Sequence, residues 1–224
     1  MARATHQSVQ RYPLTAILGT DTGVRLLREL ALHGGQLAAP DLVRRTGLAK
    51  ASVARGLDTL ERACIVRAVG TGRSVLYSLR PEHPLRPALS VVFEAEKARF
   101  EAMLAGATDA AKSAGPGLVA LWLFGSVARG EDRDGSDLDL ALVAEPGSTS
   151  RLADAFRDKV AAVAGQAGFS PSVVTLGTGD VVRLSAERDP WWLHLIRDAI
   201  SLIGERPEDL AARLTRVGAD LIEG

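Results

Sequence analysis

Leu121-Trp122-Leu123-Phe124-Gly125-Ser126-Val127-Ala128-Arg129-Gly130, running on to Ser136-Asp137-Leu138-Asp139-Leu140, decides how this chain is read. The apolar start reads as a buried strand, Gly125-Ser126 as a tight turn leading into a short helical turn, and the region from Asp137 as a second strand after a polar loop. Side chains two apart on a strand share a face. Asp137 and Asp139 are therefore expected on one side, with Leu138, Leu140 and Leu142 pointing into the core. Two carboxylates so close repel each other unless a cation lies between them. Hard oxygen ligands of this kind suit Mg²⁺, and the N–H groups of the Gly125-Ser126 turn can face a phosphate.

Around this stretch the pattern predicts a small mixed sheet with helices. Leu118 to Phe124 is a continuous apolar strand, Arg151 to Ala164 an amphipathic helix, and Pro171 to Leu176 a third strand. A helical pattern resumes at Val181, is interrupted at Asp189-Pro190, and continues through Trp191, Trp192, Leu195, Ile196, Ala199 and Ile200. The two tryptophans read as core and cap, with a base-stacking platform as the sharper alternative. Pro207 to Ile222 closes the chain as another helix. Upstream, Pro81, Pro84 and Pro87 mark a linker, and Pro87 opens a connecting helix to about Leu104. Gly106 to Gly117 then reads as a small-residue loop or fraying helix end. The connecting helix either packs on its neighbours or pairs two copies as a homodimer.

The first third of the chain is organised differently. Asp21 or Thr22 can cap a helix that His33-Gly34-Gly35 ends. Pro40 opens a second helix, Asp41 to Thr46, stopped by Gly47, and a third runs from Lys50 to Ala63 with Val53, Leu57 and Leu60 buried. Residues 65–69 and 75–79 read as a β-hairpin with a glycine-rich tip at Gly70-Thr71-Gly72-Arg73. Residues 1–12 are expected to be loosely attached, with Arg3 and Arg11 able to trail along a phosphate backbone.

Composition limits the alternatives. Hydrophobic residues make up 46% of the 224, enough for an ordinary core. No apolar run approaches the ~20 residues of a membrane span, and residues 1–12 lack the apolar core of a secretion signal. A cytoplasmic location is the expectation. The single cysteine, Cys64, excludes an internal disulfide or a cysteine-based zinc cluster. The formal net charge is zero, yet residues 40–80 carry +5 and residues 118–224 carry −6. A basic module joined to an acidic one points to nucleic acid at the first and cation recruitment at the second.

Two resemblances give these patterns names. LVRRTGLAKASVARGLDTLERACIVRAVGTGRSVLYSL resembles the winged helix-turn-helix DNA-binding family, with the turn at Thr46-Gly47-Leu48 and the helix from Lys50 as recognition helix. In that motif the start of the second helix reaches base edges in the major groove. The resemblance implies double-stranded DNA as a partner. Lys50, Ser52 and Arg55 would then read bases, while Arg44, Arg45 and Arg73 would contact phosphate. GSVARGEDRDGSDLDLALV, Gly125 to Val143, resembles the minimal nucleotidyltransferases of the DNA polymerase β superfamily. This implies a nucleoside triphosphate and Mg²⁺ as ligands. Asp137 and Asp139 would be the catalytic metal ligands, and Gly125, Ser126, Arg129 and Ser136 the nucleotide contacts. Arg129 has a second reading, in which it braces the loop by pairing with Asp132 or Asp134.

The expected fold class is α+β. Residues 1–12 are the flexible terminus, 13–80 the winged helix of three helices and a hairpin, 81–117 the linker with its connecting helix, and 118–224 an α/β nucleotidyltransferase-like domain. The resemblance also implies a third carboxylate on the later strand, and that position holds Ser172; Asp180 is the nearest acid beyond it. Two functions follow. One is a DNA-binding protein that transfers a nucleoside monophosphate to a protein, a nucleic acid or a small molecule, a toxin partner included. The other is a transcriptional regulator that senses a nucleotide without turning it over.

Overall fold

Regular structure in the computed structural model, which describes residues 20–71 and 75–220, begins with α1, Asp21–His33. There follow β1 Leu37–Ala38, α2 Ala39–Thr46, α3 Lys50–Arg62, β2 Val66–Val69 and β3 Leu76–Leu79. Left-handed glycines end the first two helices: Gly34 at φ 69° and Gly47 at φ 69° each return an N–H to the preceding turn. The N-cap of α1 is Thr20; Asp21 lies in the first turn, where it accepts from Arg25 at 2.6 Å. Leu26, Leu30, Leu42, Val53, Leu57, Ile65, Val66 and Leu79 fill one core. The hairpin carries a third strand that the sequence concealed, because two-residue β1 pairs antiparallel with β3.

Helix α4, Arg86–Ser113, is longer than its sequence predicts. The region expected to fray is alanine-rich, which favours helix, and Met103, Ala107, Ala110 and Ala111 are buried. Gly106 is tolerated because α4 approaches the helix Thr149–Ala167 closely there: an added Cβ would meet Val163 at 2.6 Å. Two compact units share the chain, divided between Phe100 and Glu101 within α4. In the first unit, α4 is fixed to α1 by a buried ion pair. Arg28 Nε donates to Glu96 at 2.6 Å and Nη2 donates to the other carboxylate oxygen at 3.1 Å, with the guanidinium 5.7 Å from the Phe93 ring centre.

The second unit contains β4 Leu118–Phe124, α5 Gly125–Arg129, β5 Leu138–Ala144, α6 Thr149–Ala167, β6 Pro171–Gly177, α7 Thr178–Ala186, α8 Pro190–Asp198, β7 Ile200–Ile203 and α9 Pro207–Asp220. Its sheet has the order β6-β5-β4-β7; β5 and β6 are parallel and the other pairs antiparallel. Strand β5 is central and buried along nearly its whole length. One face packs through Ala120, Trp122, Ala141 and Val143 against Val181, Leu184, Trp192, Leu195 and Leu210. Helix α6 lies against β5 and β6 with Leu152, Phe156 and Val160 buried. Strand β7 corrects the expectation of helix at Ile200: Ala199 leaves the helix in an extended conformation, and the β-branched Ile200 and Ile203 pair with β4. Among the described residues no helix is long and apolar enough to cross a membrane.

A buried pair broken on one side leaves an uncompensated charge. Arg28→Ala is expected to destabilise the first unit by roughly 3–5 kcal/mol. The double change Arg28→Met with Glu96→Leu should cost far less, which urea unfolding of the two variants will compare.

Candidate functional site

Strand β4 stays extended to Phe124, and the chain then turns at Gly125, φ +74°. Buried Val127 and Ala128 pin the short helix that follows, and left-handed Gly130 closes it. Gly125 is required here for two reasons. Its φ lies where side chains are strained, and an added Cβ would collide with the Asp139 carboxylate. The carboxylate therefore lies directly against the backbone of the turn.

Asp139 enters from β5, one residue inside the strand, and is half-buried. Asp137 stands exposed just before the strand begins at Leu138. The ladder places Asp139 opposite Ser172 of β6 on one side and Phe124 of β4 on the other. The Ser172 hydroxyl lies beside the Asp139 carboxylate and favours its charged form. Burial pushes the Asp139 pKa above the ordinary aspartate value, and the charge of Asp137 pushes in the same direction; the Ser172 hydrogen bond and Arg129 oppose them. Asp137 and Asp139 thus stand close enough for one charge to act on the other, with Asp139 costly to ionise, and a hard divalent cation is the kind of ligand that offsets such charge. Among the described residues no group of three or more His, Cys, Asp or Glu gathers in a metal-binding arrangement.

The other sequence-predicted site residues are placed as follows. Ser126 is half-buried in the turn. Ser136 closes the polar loop: its hydroxyl accepts from Arg133 N–H at 2.9 Å, and its own N–H donates to Arg133 at 3.0 Å. Arg129 braces the site, but through Glu131 and Asp198, each at 2.8 Å, rather than Asp132 or Asp134. Hydrogen bonds from Arg197 and Arg129 hold Asp198 below the ordinary carboxylate range. Asp180 is committed elsewhere: its side chain accepts from Gly177 N–H at 2.9 Å, capping α7, and it pairs with Arg183 at 3.4 Å. The links to Ser172 and Asp198 depend on strand register and on α8, so no local spacing announced them.

On the first unit, Lys50 and Arg55 stand exposed on α3. Ser52 is half-buried and, with Arg55, lines a hollow of about 390 Å³ against Thr20, Thr22 and Gly23 at the start of α1. Arg44 and Arg45 are exposed but paired, Arg44 with Asp41 and Arg45 with Glu29, each at 2.6 Å. Arg73 and residues 1–12 lie outside the described residues.

The family model of the IclR helix-turn-helix domain matches residues 20–70, and that of the nucleotidyltransferase domain matches residues 106–175. No match is found among curated proteins. Two solved structures are similar to part of the chain: a toxin–antitoxin complex with AMP-PNP, at 18% identity and TM-score 0.35, covering 53% of this chain and 88% of that one; and a mutant of the MntA-HpeT toxin–antitoxin, at 18% identity and TM-score 0.33, covering 50% of this chain and 84% of that one. The two family-model matches, with the three-helix and hairpin order of the first unit and the small mixed sheet of the second, assign an IclR-type helix-turn-helix domain to residues 20–70 and a nucleotidyltransferase domain to residues 106–175.

Proposed function

We propose that the protein binds double-stranded DNA through α3 and binds a nucleoside triphosphate with Mg²⁺ where β4 ends and β5 begins in the second unit's sheet. The observation that carries the nucleotide half is the contact between the Asp139 carboxylate and Gly125, with Asp137 two residues away. In this reading Asp137 and Asp139 hold Mg²⁺, while Ser126 and the N–H groups after Gly125 take the β- or γ-phosphate. Mg²⁺ bound there supplies charge neutralisation at the phosphates. Ser172, level with Asp139 across the β5–β6 ladder, favours the charged form of that carboxylate. Arg129, tied to Asp198 and Glu131, holds the end of the turn in place.

Two outcomes for the bound nucleotide are distinguished by one residue. Ser172, a poor base and weak cation ligand, faces Asp139 where a further carboxylate would help ionise an attacking hydroxyl, and Asp180 is occupied in capping α7. This favours a regulator that senses the nucleotide while the winged helix holds DNA. The nucleotidyltransferase domain and its acid pair favour the second reading, transfer of a nucleoside monophosphate to an acceptor with release of pyrophosphate. Labelled ATP, CTP, GTP and UTP incubated with protein, nucleic-acid and small-molecule acceptors separate the two: pyrophosphate release supports transfer, and tight binding without it supports sensing.

Asp137→Ala with Asp139→Ala should abolish Mg²⁺-dependent nucleotide binding in calorimetric titration, and retained affinity would sink the assignment. Asp139→Asn gives a sharper test. The raised pKa means the folded chain favours the protonated acid; that favourable contribution is full below the ordinary aspartate pKa and is lost as pH rises through the raised value. Without divalent cation, Asp139→Asn is therefore expected to melt higher than the parent at neutral pH, with the gain vanishing in acid, while nucleotide binding is lost. For DNA, Arg55→Ala should weaken a specific site by roughly 1–3 kcal/mol and relax its sequence preference. An equal loss on every sequence would make Arg55 a phosphate contact, and binding indifferent to salt would refute the DNA role.

A further inference from the structure

We propose that Trp191, supported by Phe124, forms an aromatic wall against which the base of the bound nucleotide stacks. This rests on the nucleotide reading above and extends it from the phosphates to the base.

The two adjacent tryptophans do different work. Trp192 is 2% exposed and packs edge-to-face on Trp122, with ring centres 6.1 Å apart, inside the core. Trp191 is only half-buried and stands edge-to-face on Phe124 at 5.7 Å. Phe124 is itself half-buried, and its partner across the β4–β5 ladder is Asp139. Directly opposed residues of an antiparallel pair share a face and lie about 5 Å apart at Cβ. A row thus crosses the end of the sheet: the Ser172 hydroxyl, the Asp139 carboxylate and the Phe124 ring, with the Trp191 indole next to that ring. Solvent-accessible aromatic surface beside paired carboxylates matches a ligand that is itself part polyanion with cation and part flat ring.

The indole is also held ready. Pro190 opens α8, and Asp189 Oδ1 accepts from the N–H groups of Trp191 at 2.8 Å and Trp192 at 3.2 Å. The cap fixes the backbone and the packing on Phe124 and the core restrains the ring, so little stacking energy is spent on ordering. Every base has a π-face, so such a wall tolerates all four bases.

Titrations with Mg–ATP, Mg–GTP and the base-free probe Mg–tripolyphosphate test the wall. The unsubstituted protein should bind either nucleotide more tightly than tripolyphosphate, with indole emission quenched by the nucleotides alone. Trp191→Leu should weaken both nucleotides by about tenfold and leave tripolyphosphate affinity unchanged, and Trp191→Phe should recover most of the loss. Equal weakening of all three probes would show a structural role and overturn the proposal. So would unchanged nucleotide affinity, or an unsubstituted protein that does not distinguish ATP from tripolyphosphate. An unsubstituted protein that binds none of the probes would remove the nucleotide reading itself, and this inference with it.

Discussion

The missing Cβ of Gly125 is the constraint on which the placement of the Asp139 carboxylate depends. A carboxylate at the start of a buried central strand needs somewhere to go. Leu138 and Leu140 fill the core on one side of β5, and Ala141 and Val143 are buried on the other. Only the strand end is open, and the Asp139 carboxylate can lie there because the neighbouring turn presents bare backbone. A glycine is needed at that point twice over, for its φ and for the space. Burial, the proximity of Asp137 and the Ser172 hydroxyl then set how readily the group carries charge.

Most of this architecture was legible in residue order. The apolar run from Leu118 to Phe124 gave its strand to the residue, and Gly34 and Gly47 end their helices as left-handed glycines do. The places where reading fell short share a cause. β7 is four residues long and follows a helix with no glycine or proline between, so Ile200 read on as helix. Gly106 looked like a breaker, but its meaning was in the distance to Val163 on another helix. Asp137 read as the first strand residue, whereas the β5–β6 ladder starts at Leu138, which also donates to Ser170 at 2.7 Å.

Charge pairing was the least legible layer. Arg129 offered nearby acids at Asp132 and Asp134, yet one partner, Asp198, is brought in by α8 from far along the chain. Arg45 finds Glu29 on α1, and Arg28 finds Glu96 on α4. Sequence reported the balance of charge in each region; the fold decided which charges neutralise one another. The basic excess of residues 40–80 is accordingly uneven in use, with Lys50 and Arg55 exposed on α3 while Arg44 and Arg45 are already paired on one side.

The parallel pairing of β5 with β6 makes backbone alignment and side-chain chemistry separable at this cleft. Main-chain hydrogen bonds along the ladder fix which residue faces Asp139, whatever that residue is. Position 172 therefore behaves as a socket: a change of side chain alters what the carboxylate meets and leaves the strand where it was. A slip of one residue would instead bring Pro171 or Val173 there and turn the alternate face inward. Within such a frame, single substitutions can move a domain between holding a ligand and reacting with it, and the fold need not be rebuilt on the way.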